Sequence, residues 1–402
     1  MELKFDTEKE YGLVLEGGGA RGAYQIGAWR ALLEAGIKIR GVSGTSVGAL
    51  NGALVCMGDL DKAEEVWENI SYSQVMSVKD EFMEGIIKRD FKKMTQAEVI
   101  KNSLRYLANG GIDVTPLREL IAGHIDEDKI RYGGVDFFFQ VFSVTEMKEL
   151  DVEAKEVPDG QIADMVLASA YFPVFKKERI NGNKLIDAGM FNNVPVNSLV
   201  DRGYADIISV RIYGIGLERK VKLPEGVIVT EIAPRVELGS ILEFDSKRSR
   251  KNMTIGYYDA MRVLYGLKGK IYYIDSELGE RDCLSLLAAP ADRYASYLEN
   301  YEIEEKGLSV YRNVLEKFLP AIAAELKLEK NWSYQELYLS MLEASAKLLR
   351  VQKYRIYTEK ELLAEIRRKW ESREAEKREG LPVFVGYLLS ENEDDKKGPD
   401  IP

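Results

Sequence analysis

The stretch that decides the fold is YGLVLEGGGARGAYQIGAWRALLEAGIKIRGVSGTSVGALNGALVCM, Tyr11–Met57. Its apolar opening, Tyr11–Glu16, reads as a short buried strand. Three consecutive glycines, Gly17, Gly18 and Gly19, lead into a segment from about Arg21 to Glu34 where Ile26, Trp29, Leu32 and Leu33 fall at helical spacing. Gly36 ends that helix. IKIRGVS is a second strand, GTSVG (Gly44–Gly48) a turn, and ALNGALVCM a buried helix of small residues. A β-α-β-turn-α order implies parallel strands and therefore an α/β sandwich.

The glycines admit two readings. Gly17, Gly19 and Gly22 form G-x-G-x-x-G between a strand and a helix, the pattern of a dinucleotide cradle. An acyl-transfer site needs a similar device, backbone N–H groups turned toward a tetrahedral oxyanion with a helix dipole behind them. The second strand separates them. A dinucleotide fold sets an acid near its end to hold the ribose, and IKIRGVS has none there. Arg40 suits a 2′-phosphate in principle, but the strand runs into GTSVG, which has no role in such a fold. GTSVG is G-x-S-x-G. A nucleophilic Ser46 on a sharp strand-to-helix turn must tolerate strained angles, and the flanking Gly44 and Gly48 let a substrate approach. Taken alone, the same five residues also describe an ordinary glycine-rich turn.

A serine nucleophile needs a base. The chain has one histidine, His124, in AGHIDEDK, which reads as an exposed helix end and loop. A hydrolase histidine placed late in the chain is missing, so a carboxylate must be considered as base, effective where water is excluded and its pKa lifted. KLIDAGMFNNVP supplies Asp187 at the end of an apolar strand, with Gly189 two residues on; a strand-terminating turn aspartate is the plainer alternative.

The rest of the chain bounds the answer. Its 402 residues are enough for more than one core. A formal charge of −10 argues against nucleic acid as main partner. The two cysteines, Cys56 and Cys283, fit a reducing compartment. The opening MELKFDTEKEYG has no apolar core of a signal peptide, and no uncharged apolar run approaches a membrane span. DVTPLREL predicts a helix start with Thr115 as cap and Pro116 first. After about Cys283 the texture turns helical, with SYQE (Ser333–Glu336) and TEKE (Thr358–Glu361) as capping boxes and a stripe of Leu337, Met341, Ala344 and Leu348. The expected division is a catalytic domain over 1–285, with a helical insertion over 71–130 as a possible lid, a helical domain over 286–390 and a disordered tail over 391–402. FMEGIIKRDFKKM (Phe82–Met94) suits an interfacial helix, or a surface helix packed on the core.

G-G-G-x-R-G near the N-terminus, G-T-S-x-G at the next strand end and Asp-x-Gly well downstream together resemble the patatin-like phospholipase family, and ASAYFPVF, VTEMKE and FNNVP resemble it too. The resemblance runs from Tyr11 to about Tyr213, fading toward residue 275. It implies a three-layer α/β/α sandwich with a mostly parallel central sheet, and a serine lipid acyl hydrolase acting on phospholipids or lysophospholipids without metal or cofactor. Ser46 would be the nucleophile and Asp187 its base. Gly17, Gly18 and Gly19 would give oxyanion donors, with Arg21 ordering the loop or meeting a phosphate. Such an enzyme would be cytoplasmic or peripheral at a membrane surface. Asp187-Ala188-Gly189 departs from the commoner Asp-Gly-Gly or Asp-Gly-Ala, which leads us to expect altered loop geometry. The rival readings are a non-catalytic lipid-binding or scaffold protein on the same fold and a dinucleotide-binding oxidoreductase.

Overall fold

A computed structural model describes residues 1–77, 113–171, 175, 184–288 and 310–390. The expected interfacial helix at Phe82–Met94 and the tail over 391–402 lie outside the described residues. The chain divides into two compact units, Glu2–Leu264 and the part from Tyr265 onward with Met1.

The first unit is built on a seven-stranded sheet. Its strands are β1 (Glu10–Leu15), β2 (Lys38–Thr45), β3 (Asp136–Ser143), β4 (Lys148–Glu153), β5 (Leu185–Asp187), β6 (Asp206–Val210) and β7 (Ile228–Ile232). They lie in the order β4-β3-β2-β1-β6-β7, with β5 also on β3. The β3-β2-β1-β6-β7 pairings are parallel, whereas β4 and β5 run antiparallel to β3. Strands buried on both faces need apolar residues at consecutive positions, which is why Leu13-Val14-Leu15 and Ile207-Ile208 read as unbroken runs. Val14, Phe138 and Ile207 pack with Val194 and Leu199 on one face. Val42 and Phe137 lie on the other, against Gly52 of the helix α2 (Val47–Met57). The α/β/α arrangement thus follows from two-faced strands with helices on either side.

Helix α1 (Ala23–Glu34) continues from a short 3-10 turn at Gly19–Gly22. It meets the helix Ser246–Tyr265 backbone to backbone. A Cβ on Gly27 would stand 1.9 Å from the Met253 carbonyl oxygen, and one on Gly256 1.9 Å from that of Tyr24. The helix Thr115–His124 begins one residue earlier than expected. Val114 holds the cap position. Thr115 is inside the helix because Asp113 Oδ1 accepts both its N–H (3.0 Å) and its hydroxyl (2.7 Å).

The second unit is mainly helical, with a small parallel pair, Tyr273–Asp275 with Ile356–Thr358, that the sequence did not announce. Leu337 and Met341 of the expected stripe are in its core, but Leu348 is 38% exposed and Leu342 and Ala346 take up the contact instead. Thr358 and Glu361 form the full reciprocal box. Ser333 makes only half of one: its hydroxyl accepts the Glu336 N–H, while Glu336 turns to Lys270 Nζ at 2.7 Å. Among the described residues no helix is long and apolar enough to cross a membrane.

Candidate active site

Strand register brings the two candidate residues together. β2 pairs with β3 up to Thr45, opposite Gln140, and then leaves the sheet. β4 covers the other edge of β3 from Phe138 to Ser143. β5 must therefore use the edge that β2 has vacated, and it sets Asp187 opposite Val141, one position beyond Gln140. Asp187 descends onto the place where Ser46 turns out of β2.

Ser46 has φ 55° and ψ −124°, a left-handed backbone that a non-glycine residue holds only when its surroundings enforce it. Its N–H donates to Ser169 Oγ at 3.0 Å, and the Ser169 hydroxyl donates to the Gln140 carbonyl at 2.6 Å. The glycines of GTSVG answer a need for close approach. A Cβ on Gly44 would lie 2.2 Å from the Gly48 carbonyl oxygen, and one on Gly48 2.1 Å from that of Leu15. The end of β2, the start of α2 and the end of β1 touch through their backbones, and this holds the serine on its tight turn.

The Asp187 carboxylate and Ser46 line the same cavity, and the nearby Ser46 hydroxyl draws the carboxyl's pKa down. Asp187 Oδ1 accepts the Gly189 N–H at 2.7 Å. The side chain is 6% exposed. Burial pushes its carboxyl up to about 6, outweighing the Ser46 hydroxyl and the Gly189 N–H, which pull it down. A Cβ on Gly189 would stand 2.8 Å from Asn193 Oδ1 and 3.0 Å from Asp187 Oδ1, so the glycine of Asp-x-Gly is fixed by space. Ala188 is buried and is not among the residues with positive φ, so the middle position takes a Cβ without left-handed strain.

The glycine loop closes the third side. The N–H of Gly17 donates to the Asn193 carbonyl at 3.1 Å, and Asn193 Nδ2 donates back to the Gly17 carbonyl at 3.0 Å. Gly17 is therefore clamped, and its N–H is already taken, contrary to its expected part as a donor. Gly18 and Gly19 border the cavity beside Ser46, and their N–H groups have no acceptor among the described residues. Gly19 has φ +56°, and a Cβ there would stand 2.2 Å from the Ile241 carbonyl oxygen. Arg21 donates to the carbonyls of Gly239 and Ile212, at 2.8 and 3.3 Å, and to that of Tyr213. It orders loops; these bonds use its guanidinium on protein carbonyls.

Sequence reasoning missed Glu16. It ends the first apolar run and is 3% exposed. Oε2 accepts Arg211 Nε (3.1 Å), Ile212 N–H (2.7 Å) and Tyr213 N–H (2.9 Å). Oε1 accepts Gly214 N–H (3.2 Å) and Asn193 Nδ2 (3.4 Å). The side chain thus ties the loop after β6 and Asn193 to the start of the glycine loop. A lone acid closing an apolar run was the available signal, since a buried charge needs partners. His124 ends its helix with Nδ1 2.8 Å from the Leu120 carbonyl oxygen. Among the described residues it bonds to neither Ser46 nor Asp187. Arg40 stands early in β2, paired with Asp136 at 3.5 Å. Six residues of extended strand, roughly 20 Å, separate it from Ser46, too far to read a phosphate on the glycine loop.

Ser46, Asp187, Gly18 and Gly19 share one cavity whose walls are largely apolar: Leu50 and Leu54 of α2, Trp67, Ile70, Leu117 and Ile121. His124 lies on the same wall. A hydroxyl beside a buried carboxylate, with two glycines whose N–H groups have no acceptor among the described residues, within apolar walls, suits attack on a carbonyl attached to an apolar chain.

Residues 13–200 match the family model described as Patatin-like phospholipase. The chain is 28% identical over 211 residues to "Patatin-like phospholipase domain-containing protein 7" of Mus musculus, covering 51% of this chain and 14% of that protein. It is 28% identical over 216 residues to "Neuropathy target esterase sws" of Drosophila melanogaster, covering 51% and 13%. A match to the protein of the same name in Drosophila persimilis is 60% identical over 50 residues, 12% of this chain and 4% of that one. The chain thus spans a small part of the length of the curated relatives it matches. Among solved structures it is similar to VipD from Legionella pneumophila, at 14% identity and a TM-score of 0.41 over 94% of this chain and 90% of that one.

Proposed function

From a patatin-like phospholipase domain over residues 13–200, we propose that this protein is a lipid acyl hydrolase of the phospholipase A or lysophospholipase type, working through Ser46 and Asp187. The observation that carries the reading is that Ser46, on its strained turn, and a buried Asp187 line one apolar cavity, with the serine hydroxyl near enough to draw the carboxyl's pKa down. Ser46 Oγ adds to the ester carbonyl carbon while its proton passes to Asp187. The carbonyl electron pair moves onto oxygen, which the N–H groups of Gly18 and Gly19 receive. Collapse of the tetrahedral intermediate breaks the C–O bond to the alcohol, and the proton on Asp187 goes to the departing oxygen. The acyl chain remains on Ser46, along the apolar wall. Water then repeats the sequence and releases the fatty acid.

The elevated Asp187 carboxyl supports its part as base, because a general base works best when its pKa approaches the working pH. The strained Ser46 turn supports catalysis over passive lipid binding, since strain of this kind collects where chemistry needs it. The test is turnover of a short-chain p-nitrophenyl ester and of phospholipid by wild type and Ser46→Ala. Both activities are expected in wild type and neither in the variant. Equal activity in a folded Ser46→Ala protein would refute the proposal.

A further inference from the structure

The loop after β6 crosses the turn that follows Asp187. The Leu217 N–H donates to the Gly189 carbonyl at 3.0 Å, and the Asn193 N–H donates to the Leu217 carbonyl at 2.7 Å. At Gly216 there is no room for a side chain: a Cβ would stand 2.2 Å from the Gly189 carbonyl oxygen. Ile215 borders the catalytic cavity. On either side of it Tyr213 and Leu217 are 55% and 64% exposed, and on the adjoining turn Met190 and Phe191 are 44% and 42% exposed. Large apolar side chains on two bonded loops thus stay partly in water beside a residue of the cavity wall, with one face of Phe191 stacked on Phe142 at 4.0 Å between ring centroids, and exposed apolar surface of this kind marks an interaction surface.

The loop then continues Glu218-Arg219-Lys220-Val221-Lys222. Its one acid, Glu218, pairs with Arg211 at 2.8 Å. Among the described residues Arg219 has one ion pair, a long contact of 4.0 Å to Glu149. Lys220 and Lys222 are exposed and have no acidic partner among the described residues. A chain of net charge −10 therefore presents a local group of cations beside these apolar residues. Apolar side chains that enter the boundary of a bilayer, with Lys and Arg at headgroup level, are the two components of interfacial binding. We propose that Tyr213, Leu217, Met190 and Phe191, with Arg219, Lys220 and Lys222, dock the protein on a bilayer surface containing anionic lipid, with the open end of the cavity toward the membrane. The choice of a bilayer as occupant rests on the hydrolase reading above, because a lipid ester must pass from the membrane into the cavity that Ile215 borders.

The test reads binding and not turnover. Full-length Ser46→Ala protein is floated with phosphatidylcholine vesicles, with and without phosphatidylglycerol. Binding to the anionic vesicles is expected and is to weaken with salt. With Lys and Arg each worth about 1 kcal/mol near an anionic surface, Lys220→Glu/Lys222→Glu is expected to lower it by at least about tenfold. Leu217→Asn is expected to lower it too, with the thermal midpoint of both variants unchanged. Equal binding to both vesicle types, or undiminished binding by the charge-reversed protein, would overturn the proposal. So would binding lost to soluble glycerophosphoglycerol, which would point to a headgroup pocket and not a docking surface. Because no turnover is measured, absence of vesicle binding leaves the hydrolase reading standing, and a wild type inactive on monomeric esters leaves the docking result standing.

Discussion

Glu16, directly after β1, and Asp187, at the end of β5, are both buried carboxylates, 3% and 6% exposed, in opposite surroundings. The oxygens of Glu16 take three backbone N–H groups, one guanidinium and one amide. None of its acceptor capacity is left for a reacting proton, so it acts as a clamp. Asp187 accepts one backbone N–H, with Ser46 beside it in the cavity and burial pushing its carboxyl up to about 6. It is poorly compensated, which suits the role of base proposed for it. The number of donors, not the residue type, separates the two roles.

The comparison breaks most directly at the group Asp187 serves. Ser46→Ala is expected to reduce ester turnover by at least about 10⁴-fold, leaving only background. Asp187→Asn keeps the acceptor for Gly189 but removes the proposed base, and a loss of about 10³- to 10⁴-fold in kcat is expected. Glu16→Gln should cost less, about 10- to 100-fold, because it loosens the loop that aims Gly18 and Gly19 without touching the reacting atoms. That loss should fall on kcat with KM for a small ester nearly unchanged, and Glu16→Asp should restore part of it. A merely structural role would lower the amount of folded enzyme and leave kcat per labelled site alone.

The smallest effect concerns stability. A carboxyl whose folded pKa is raised stabilises the fold while protonated, and that contribution is lost as pH rises through the folded value. For Asp187 the window runs from its ordinary value of 3.8 to about 6, worth about 3 kcal/mol at neutral pH. Asp187→Asn is therefore expected to melt above wild type at pH 8, with the gap closing by about pH 4. An unchanged gap across that range would mean that Asp187 is not the strained group.

Much of the site was legible in sequence because its demands are local. GTSVG and the three glycines declare backbones that must touch, and Gly44, Gly48 and Gly19 each lack room for a Cβ. The alternation of strand and helix over Tyr11–Met57 gives the parallel core of the sheet. What stayed hidden depends on distant partners. Ser169, which holds the Ser46 N–H, lies 123 residues away, and Gly214, on Glu16, lies 198 away. Neither carries a motif of its own. Gly17 looks like a donor from its position among the glycines, yet Asn193 claims its N–H. The capping box at Ser333 fails for the same reason, since Lys270 competes for Glu336 across the fold.

The claim that Ser46 and Asp187 work as a pair meets its most direct test in fluorophosphonate labelling followed across pH. The account predicts a single adduct on Ser46, formed at a rate that rises through a midpoint near pH 6 and levels off above it, with both rate and midpoint lost in Asp187→Asn. An adduct on another residue, or a midpoint that persists in Asp187→Asn, would contradict it.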